Sequence, residues 1–173
     1  MWWRRTAVIL FVALSLPGSL FAQASREEVL RRVYPGATFQ AERKFLTEEQ
    51  MKKAAALSGV EVPTALIARY VAVNGGKVVG RAYVDTHVVR TKNESLLICL
   101  DAGGKVKRVE VTAFLEPPEY RAGDAWYGQF RDRALESDLQ LNRAIRPVAG
   151  ATLTATATTR AVRRVLALDQ VLP

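Results

Sequence analysis

The run ALIARYVAV at residues 65–73 is followed by Asn74-Gly75-Gly76 and then by KVVGRAYVD at residues 77–85. Both runs are rich in β-branched and aromatic residues, which favour strands. The asparagine–glycine sequence between them is a strong hairpin signal, because these residues tolerate the positive φ angles of tight hairpin turns. The stretch therefore predicts two antiparallel strands joined by a short turn.

A second hairpin is predicted directly after the first. An apolar run at residues 94–100 ends at Asp101-Ala102-Gly103-Gly104, and residues 105–114 return as an alternating strand. One face of the returning strand is mostly apolar and is expected to be half-buried. That face comprises Lys107, Val109, Val111 and Ala113, and the opposite face comprises Val106, Arg108, Glu110 and Thr112. Together the two hairpins predict an antiparallel sheet of about four or more strands.

Helical segments flank the predicted sheet. Ser25-Arg26-Glu27-Glu28 and Thr47-Glu48-Glu49-Gln50 both have the capping-box pattern that opens a helix, and Gly59 is a suitable C-terminal stop for the second helix. A third helix is expected to be capped by Asp124 and to contain Trp126, Tyr127, Phe130 and Leu135. The predicted fold class is α+β: a single domain at residues 25–173, with an antiparallel sheet and flanking helices.

The N-terminus has the three parts of a secretory signal peptide. Residues 1–5 are basic, residues 7–16 form an apolar run, and Ala22-Gln23-Ala24 matches the cleavage pattern of small residues. The apolar run is too short to span a bilayer comfortably, so an uncleaved anchor is the less favoured alternative. We expect residues 1–24 to be a signal peptide cleaved after Ala22 or Ala24, and the mature chain to be secreted or periplasmic.

The composition narrows the classes of function. The formal net charge is +8, but the basic residues are scattered and no cluster is interleaved with stacking aromatics. This pattern argues against nucleic acid as a partner and favours an acidic partner or peripheral contact with anionic lipid. Cys99 is the only cysteine, and its apolar run predicts a buried thiol. His87 is the only histidine, so neither a histidine-based metal site nor a hydrolase triad with a Gly-x-Ser-x-Gly elbow is predicted.

A second distinctive stretch, Gly150-Ala151-Thr152-Leu153-Thr154, precedes an amphipathic helical pattern at residues 160–168. Gly150 and Ala151 have minimal side chains, so the Thr152 hydroxyl is open to another enzyme's active site. One interpretation is therefore a threonine that is modified. The other is that Thr152, Thr154 or Thr156 caps the final helix.

Residues 150–154 resemble the flavinylation motif of the FMN-binding domain family. That family includes the C subunit of the sodium-pumping NADH:quinone oxidoreductase and the G subunit of the Rnf electron-transport complex. In it, a flavin transferase takes FMN from FAD and joins it by a phosphoester to the threonine that closes Gly-Ala-Thr. The resemblance implies a covalent FMN on Thr152, with noncovalent FMN as the alternative. The implied cofactor-binding residues around Thr152 are Gly150, Ala151, Leu153 and Thr154.

Three further segments bear on the resemblance. Residues 34–37 and 46–50 are similar to the opening of single-domain exported family members. Leu115-Glu116-Pro117-Pro118 partly matches the Glu-Thr-Pro-Gly loop that family members carry near the flavin, which implies that Glu116 is a cofactor-binding residue. The alternative for Glu116 is a solvated side chain in a surface loop. Trp126 and Phe130 share a helical face and are interpreted as core, with a flavin contact from Trp126 or Tyr127 as the less favoured alternative.

The sequence departs from the family pattern upstream of the acceptor. The family usually has aspartate six residues before the threonine and serine or threonine three before it. Arg146 and Ala149 occupy those positions here. If the transferase reads the aspartate, Arg146 weakens or abolishes modification, and a family member that has lost its flavin stays an open alternative.

The function implied by the resemblance is that of an extracytoplasmic flavoprotein, carrying electrons between membrane-linked and periplasmic redox proteins. The flavin supplies the chemistry, so no catalytic acid or base and no metal from the protein are expected. We expect the phosphate to lie near the N-terminus of the last helix, with hydrogen bonds from the Thr154 and Thr156 hydroxyls. The alternative is a cofactor-free periplasmic interaction or scaffold module of the same fold.

Overall fold

The computed structural model describes residues 18–172, with side chains from Arg26 onward. Most of the predicted signal peptide, residues 1–17, lies outside the described residues. Two short 3-10 turns, Pro118–Tyr120 and Gly128–Phe130, join the helices and strands. The helices and strands, in chain order, are α1 Gly18–Val33, β1 Thr38–Phe45, α2 Glu48–Ser58, β2 Leu66–Asn74, β3 Lys77–Val88, β4 Asn93–Asp101, β5 Val106–Phe114, α3 Asp124–Tyr127 and α4 Thr152–Val171. No helix within residues 18–172 is both long and apolar enough to cross a membrane.

The strands form one antiparallel sheet in the order β1-β2-β3-β4-β5, which confirms the predicted α+β class. The first predicted hairpin is present: Asn74 pairs with Lys77, and Gly75 and Gly76 have φ angles of 56° and 75°. Two consecutive positive φ angles are what a tight two-residue hairpin loop requires.

The fifth strand, β1, was not predicted. It pairs along its whole length with β2, from Thr38 opposite Val73 to Phe45 opposite Leu66. Four of its eight residues are charged or carry an amide, namely Gln40, Glu42, Arg43 and Lys44. A charged strand at the edge of a sheet is protected against pairing with another chain, but it carries little hydrophobic signal in the sequence.

The sheet separates two apolar layers, because alternate residues of a strand point to opposite faces. Leu96, Ile98 and Leu100 of β4 pack in the larger layer with α4, where Val162, Val165 and Leu166 are buried. Leu97 and Cys99 pack in the smaller layer with Val29, Leu30 and Tyr34 at the end of α1. The predicted buried thiol of Cys99 is confirmed, since its side chain is fully buried.

The predicted alternation of β5 is wrong at Val106. The pairing of β4 with β5 shifts between Cys99 and Leu100 and again between Ser95 and Leu96. Such bulges add a residue to one strand and turn the side chains beyond it to the other face. Val106 is therefore buried in the same layer as Val109, although sequence alternation places the two on opposite faces.

The helices follow the predictions in part. The capping box of Thr47 and Gln50 and the left-handed Gly59 at the C-terminal end confirm the prediction for α2. α1 already begins at Gly18 rather than Ser25, and Ala22 and Ala24 lie within it; no glycine or proline after Gly18 interrupts its helix-forming residues. α3 is capped by Gly123 and ends at Tyr127, so the predicted longer helix to Leu135 is wrong. The chain there turns into a 3-10 segment and reaches Asp132 with a φ of 63°.

Candidate functional site

Thr152 is the first residue of α4. Ala151 occupies the N-cap position with φ −128° and ψ 35°, and no side chain caps the helix. The first helical hydrogen bond runs from the Ala155 amide to the Ala151 carbonyl at 3.0 Å. The amides of the first turn therefore have no acceptor inside the helix, and none of the threonines acts as the predicted cap.

The segment before Thr152 leaves the residue accessible. Gly150 has a φ of 78°, in the left-handed region that glycine tolerates best. A Cβ atom added to Gly150 would meet nothing within 4 Å, so the conformation, rather than lack of space, favours glycine. Ala149 and Gly150 are exposed on the surface, and Ala151 is buried.

The hydroxyl groups of the first two turns of α4 differ in their partners. Thr154, Thr156, Thr158 and Thr159 all use theirs, with acceptors at Tyr120 O, Thr152 O, Glu94 Oε2 and Ala155 O respectively. The Thr152 side chain is exposed, and its hydroxyl makes no hydrogen bond to any residue in the described part of the chain. Of these five threonines, Thr152 alone presents a free hydroxyl to solvent.

Thr154 does not fit the role predicted for it. Its side chain is buried, and the hydroxyl donates to the Tyr120 carbonyl at 2.5 Å. Because a hydroxyl has only one proton to donate, Thr154 has none for a phosphate on Thr152, and the expected hydrogen bond is wrong. Thr156 donates to the Thr152 carbonyl at 2.8 Å, which likewise commits its proton. The side chain of Leu153, which the resemblance also implies to be a cofactor-binding residue, is half-exposed.

Glu116 lies in the loop after β5 and is committed to the protein itself. Its Oε1 atom accepts from the backbone N–H groups of Arg90, Thr91 and Lys92 at 3.0, 2.6 and 2.7 Å. The bonds from Thr91 and Lys92, followed by that from Arg90, hold the pKa of Glu116 below its usual range. The residue therefore organises the turn between β3 and β4 through Oε1, and its side chain is largely buried rather than a solvated loop side chain.

The loop of Glu116 nevertheless meets the start of α4. The guanidinium of Arg90 lies 4.6 Å from the centre of the Tyr120 ring, and the Tyr120 carbonyl accepts from Thr154. The β3–β4 turn, the loop after β5 and the first turn of α4 are thus linked through Tyr120. The structure brings Glu116 into the same region as residues 150–154 through Tyr120 and Arg90, and no hydrogen bond joins Glu116 to residues 150–154 directly.

Trp126 and Phe130 belong to the core, as the favoured interpretation predicts, and Tyr127 is buried with them. Trp126 packs edge-on against Tyr127 and Phe130, and both Trp126 and Tyr127 are buried. The Trp126 indole donates to the Arg146 carbonyl at 2.7 Å. Neither ring offers an open flat face to a flavin, but Trp126 fixes the backbone at Arg146, six residues before Thr152.

Sequence reasoning missed a buried polar network between the sheet and α4. The His87 ring lies between two carboxylates, with Nδ1 2.9 Å from Asp85 Oδ1 and Nε2 3.1 Å from Glu94 Oε2. Arg164 donates two hydrogen bonds to Asp85, and Thr158 and Tyr127 donate to Glu94. The sequence signal was Arg164 on the apolar face of α4, where a buried arginine needs an acidic partner.

Two surface hollows flank the exposed side of α4. The larger, about 380 Å³, lies between α4, the end of α2 and the segment before α4; we call it the α2–α4 hollow. Its lining includes Ser58, Val60, Gln140, Leu141, Thr156 and Arg160. The smaller, about 170 Å³, lies on the other side of Arg160, next to His87 and Arg164. Arg160 is exposed and forms no hydrogen bond or ion pair with any residue between 18 and 172.

Comparison of the chain with models of protein families, with curated proteins and with solved structures found no match. The geometry of α4 and its surroundings therefore carries the functional argument together with the sequence motif.

Proposed function

We propose that this protein is an extracytoplasmic flavoprotein that carries FMN as a phosphoester on Thr152. It would transfer electrons between membrane-linked and periplasmic redox proteins. The observation that supports the proposal is the selective exposure of Thr152: the motif resemblance singles out this threonine, and it is the one whose hydroxyl is free and open to solvent. Attachment by another enzyme requires both properties.

The attachment reaction balances with FAD as the donor. The Thr152 Oγ1–phosphorus bond forms, the phosphoanhydride bond of FAD breaks, and AMP leaves. The hydroxyl proton passes to a base of the flavin transferase. The transferase is thus the required maturation partner, and this chain contributes the nucleophile and an accessible backbone around Gly150.

The start of α4 suits the group that would be attached. A phosphodiester keeps one negative charge, and the N-terminus of a 20-residue helix with free first-turn amides favours an anion there. Each such interaction contributes about 0.3–1 kcal/mol at an exposed site, so the covalent bond would hold the cofactor and the amides would orient it. The flavin supplies the electron-transfer chemistry when bound. The chain supplies attachment, orientation and the surface that redox partners meet.

The departures from the family pattern lie where a transferase would approach. Arg146 and Ala149 are exposed, and the Arg146 backbone is held by Trp126 and by a 2.9 Å bond from its N–H to Gln129 Oε1. The position of Arg146 is therefore fixed, and only its side chain differs from the usual aspartate. We expect Arg146→Asp to increase the flavinylated fraction if the transferase reads that position.

The test is the intact mass of protein exported together with a flavin transferase, with tryptic mapping of the peptide that contains Thr152. Added FMN on that peptide, and its loss in Thr152→Ala, is the expected result. Thr152→Ala removes no hydrogen bond of the side chain, so it is expected to leave the thermal midpoint unchanged. Thr156→Ala, four residues further along α4, is the matched control and should stay yellow.

Two results would contradict the proposal. One is an unmodified mass for both the natural chain and Arg146→Asp, with no binding of free FMN by fluorescence quenching. The other is FMN on a different residue. The first result would favour the cofactor-free interaction module.

A further inference from the structure

We propose that the α2–α4 hollow receives the aromatic ring of the flavin, with Arg160 as the charged residue at its edge. This inference rests on the proposed attachment of FMN to Thr152. It adds a second part to the site, away from the attachment point, and assigns it to residues that the motif does not include.

The hollow lies along the helix from the attachment residue. With 3.6 residues per turn, the side chains of Thr152, Thr156 and Arg163 leave α4 within about 40° of one another. Thr156 and Arg163 line the hollow. At a rise of 1.5 Å per residue, Thr156 lies about 6 Å and Arg160 about 12 Å beyond Thr152 along the helix axis. A group tethered at Thr152 through an extended sugar-alcohol chain therefore reaches the hollow by running along this face.

The hollow has the dimensions and composition of a ligand site. Its volume of about 380 Å³ falls within the range of roughly 300–1,000 Å³ found for small-molecule pockets. Val60 and Leu141 supply apolar walls, and the Gln140 amide lies at the border with its Nε2 bonded to the Ser137 carbonyl at 3.0 Å. A flat aromatic ring needs apolar contact on its faces and a few polar groups at its edge, and these residues provide both.

The hollow is held open by Arg163. Its guanidinium donates to the carbonyls of Ser58, Glu136 and Leu139 at 2.8, 2.8 and 3.2 Å, which ties the end of α2 and the segment before α4 to the helix. Arg163 is thus a structural residue and its hydrogen-bonding capacity is largely used. Preformed walls of this kind reduce the ordering that a ligand must bring about.

Arg160 differs from Arg163 because its charge is not used by the protein. It lies at the boundary of both hollows and is exposed without a partner in residues 18–172. A positive charge beside a flavin ring stabilises the reduced, negatively charged form relative to the neutral oxidised form. Arg160 is therefore the residue expected to raise the reduction potential of the bound flavin.

The experiment uses full-length protein exported with the transferase and shown by mass to carry FMN on Thr152. The midpoint potential is measured for the natural chain, for Arg160→Gln and for Arg131→Gln. Arg131 is also exposed and lies beside Lys107 and Arg108, and it does not line the α2–α4 hollow. We expect Arg160→Gln to lower the potential and Arg131→Gln to leave it unchanged.

A second measurement tests the position of the ring without reference to potential. Acrylamide quenches the fluorescence of a solvent-exposed flavin ring more than that of a ring bound in the hollow. Leu141→Asp places a charge in the wall of the hollow and is expected to raise the quenching constant several-fold. Leu153→Asp is the matched control, because Leu153 is half-exposed and leaves α4 about 100° round the helix from Thr152. Circular dichroism verifies that both variants are folded.

The outcomes separate this inference from the proposed function. Protein without FMN on Thr152 contradicts the proposed function itself. Flavinylated protein in which Arg160→Gln has the natural potential, and Leu141→Asp the quenching constant of Leu153→Asp, overturns the ring site and leaves the attachment intact. If Leu141→Asp does not fold, the potential of Arg160→Gln decides.

Discussion

A single carboxylate oxygen of Glu116 holds three successive backbone amides in the β3–β4 turn. At the scale of the single residue, the family resemblance and the structure indicate different roles for the Glu116 side chain. The resemblance places it near the cofactor, whereas its hydrogen bonds fix Arg90 over the Tyr120 ring. Glu116 therefore acts on the start of α4 through Arg90 and Tyr120, as a positioning residue.

We predict that Glu116→Ala speeds hydrogen exchange at the amides of Arg90, Thr91 and Lys92, because these groups lose their acceptor. Since the folded-state pKa of Glu116 is lowered, its stabilising effect is present above the ordinary value of 4.5 and is lost as the pH falls through the lower folded value. Glu116→Ala should therefore remove part of the acid sensitivity of the thermal midpoint. Glu119→Ala, an exposed position in the same loop, is the control. Unchanged hydrogen exchange at these three amides would show that the β3–β4 turn is stable without the Glu116 carboxylate.

At the scale of the element, α4 is fixed along its whole length. Its start is tied to Tyr120 through Thr154, its middle to the sheet through Arg164 and Asp85, and its end through Asp169. The Asp169 carboxylate accepts from Arg81 and from the Tyr83 hydroxyl. A helix held at three points presents its exposed face, with Thr152 and Arg160, in one orientation.

The network around His87 predicts a pH dependence of stability. Burial acts to lower the pKa of His87, but the hydrogen bonds to Asp85 and Glu94 outweigh burial and raise the pKa above its ordinary 6.5. A raised folded pKa stabilises the fold fully below the ordinary value, and this stabilisation is lost as the pH rises through the folded value. For Asp85, burial is outweighed by the bonds from His87 and Arg164, and its lowered pKa makes its contribution disappear in acid.

We therefore expect the free energy of unfolding to fall as the pH is raised above about 6.5, the ordinary histidine pKa. His87→Gln should lower the unfolding free energy by about 1–3 kcal/mol at pH 6, because the buried carboxylates of Asp85 and Glu94 lose the charged donor between them. It should also flatten the dependence of the unfolding free energy on pH above that value. Urea unfolding between pH 5 and pH 9 measures both. Arg160 lines the smaller hollow together with His87 but is not bonded to it. Arg160→Gln should therefore keep the pH dependence of the unfolding free energy. A slope that survives His87→Gln would have to come from another group.

The sequence predicted the elements with local signals and missed those set by tertiary contacts. Gly75, Gly76 and the Thr47 capping box act within a few residues, so the first hairpin and α2 were predictable. The edge strand β1 is polar because it borders solvent, and the bulges that turn Val106 inward follow from the pairing of β4 with β5. His87 and Glu94 are seven residues apart on adjacent strands, and neither shows in sequence that Thr158 and Tyr127 complete their network.

In the candidate site too, the features with local sequence signals were predictable and those set by tertiary contacts were not. Residues 150–154 lie together at the start of α4, as any contiguous motif must, and accessibility of Thr152 followed from its small upstream neighbours. The partner of the Thr154 hydroxyl was not predictable, because Tyr120 is 34 residues away. The α2–α4 hollow joins three separate segments, so no local pattern in the sequence indicated it.

At the scale of the whole molecule, the two faces of the sheet are covered unequally. α4 and α2 cover one face with most of the buried side chains, and the end of α1 covers the other with Val29, Leu30 and Tyr34. Cleavage after Ala22 or Ala24 would shorten α1 but retain these three residues. The smaller layer is therefore the part of the mature fold with the least buried apolar surface, and the part expected to open first.

Cys99 provides a single reporter for that opening. Its thiol is fully buried beneath α1, and burial raises its pKa to about 12, so little thiolate exists at pH 8 and a thiol reagent reacts only after exposure. Leu30 is almost fully buried against the same layer, and Leu30→Ala is expected to cost about 2–5 kcal/mol. We predict that this variant is labelled faster than the natural chain by about tenfold for each 1.4 kcal/mol lost, if labelling follows the opening equilibrium.

The control is Leu57→Ala, which shortens a leucine of α2 that is 41% exposed and lies on the opposite side of the sheet. Its labelling rate should match that of the natural chain, since a surface substitution away from the smaller layer changes stability by about 0.5 kcal/mol or less. If Leu30→Ala is destabilised in urea but labelled no faster than Leu57→Ala, Cys99 stays covered when α1 loosens, because strand β4 and its neighbours protect it. Cys99 would then become exposed only when the whole sheet unfolds, and loosening of α1 alone would leave the sheet intact.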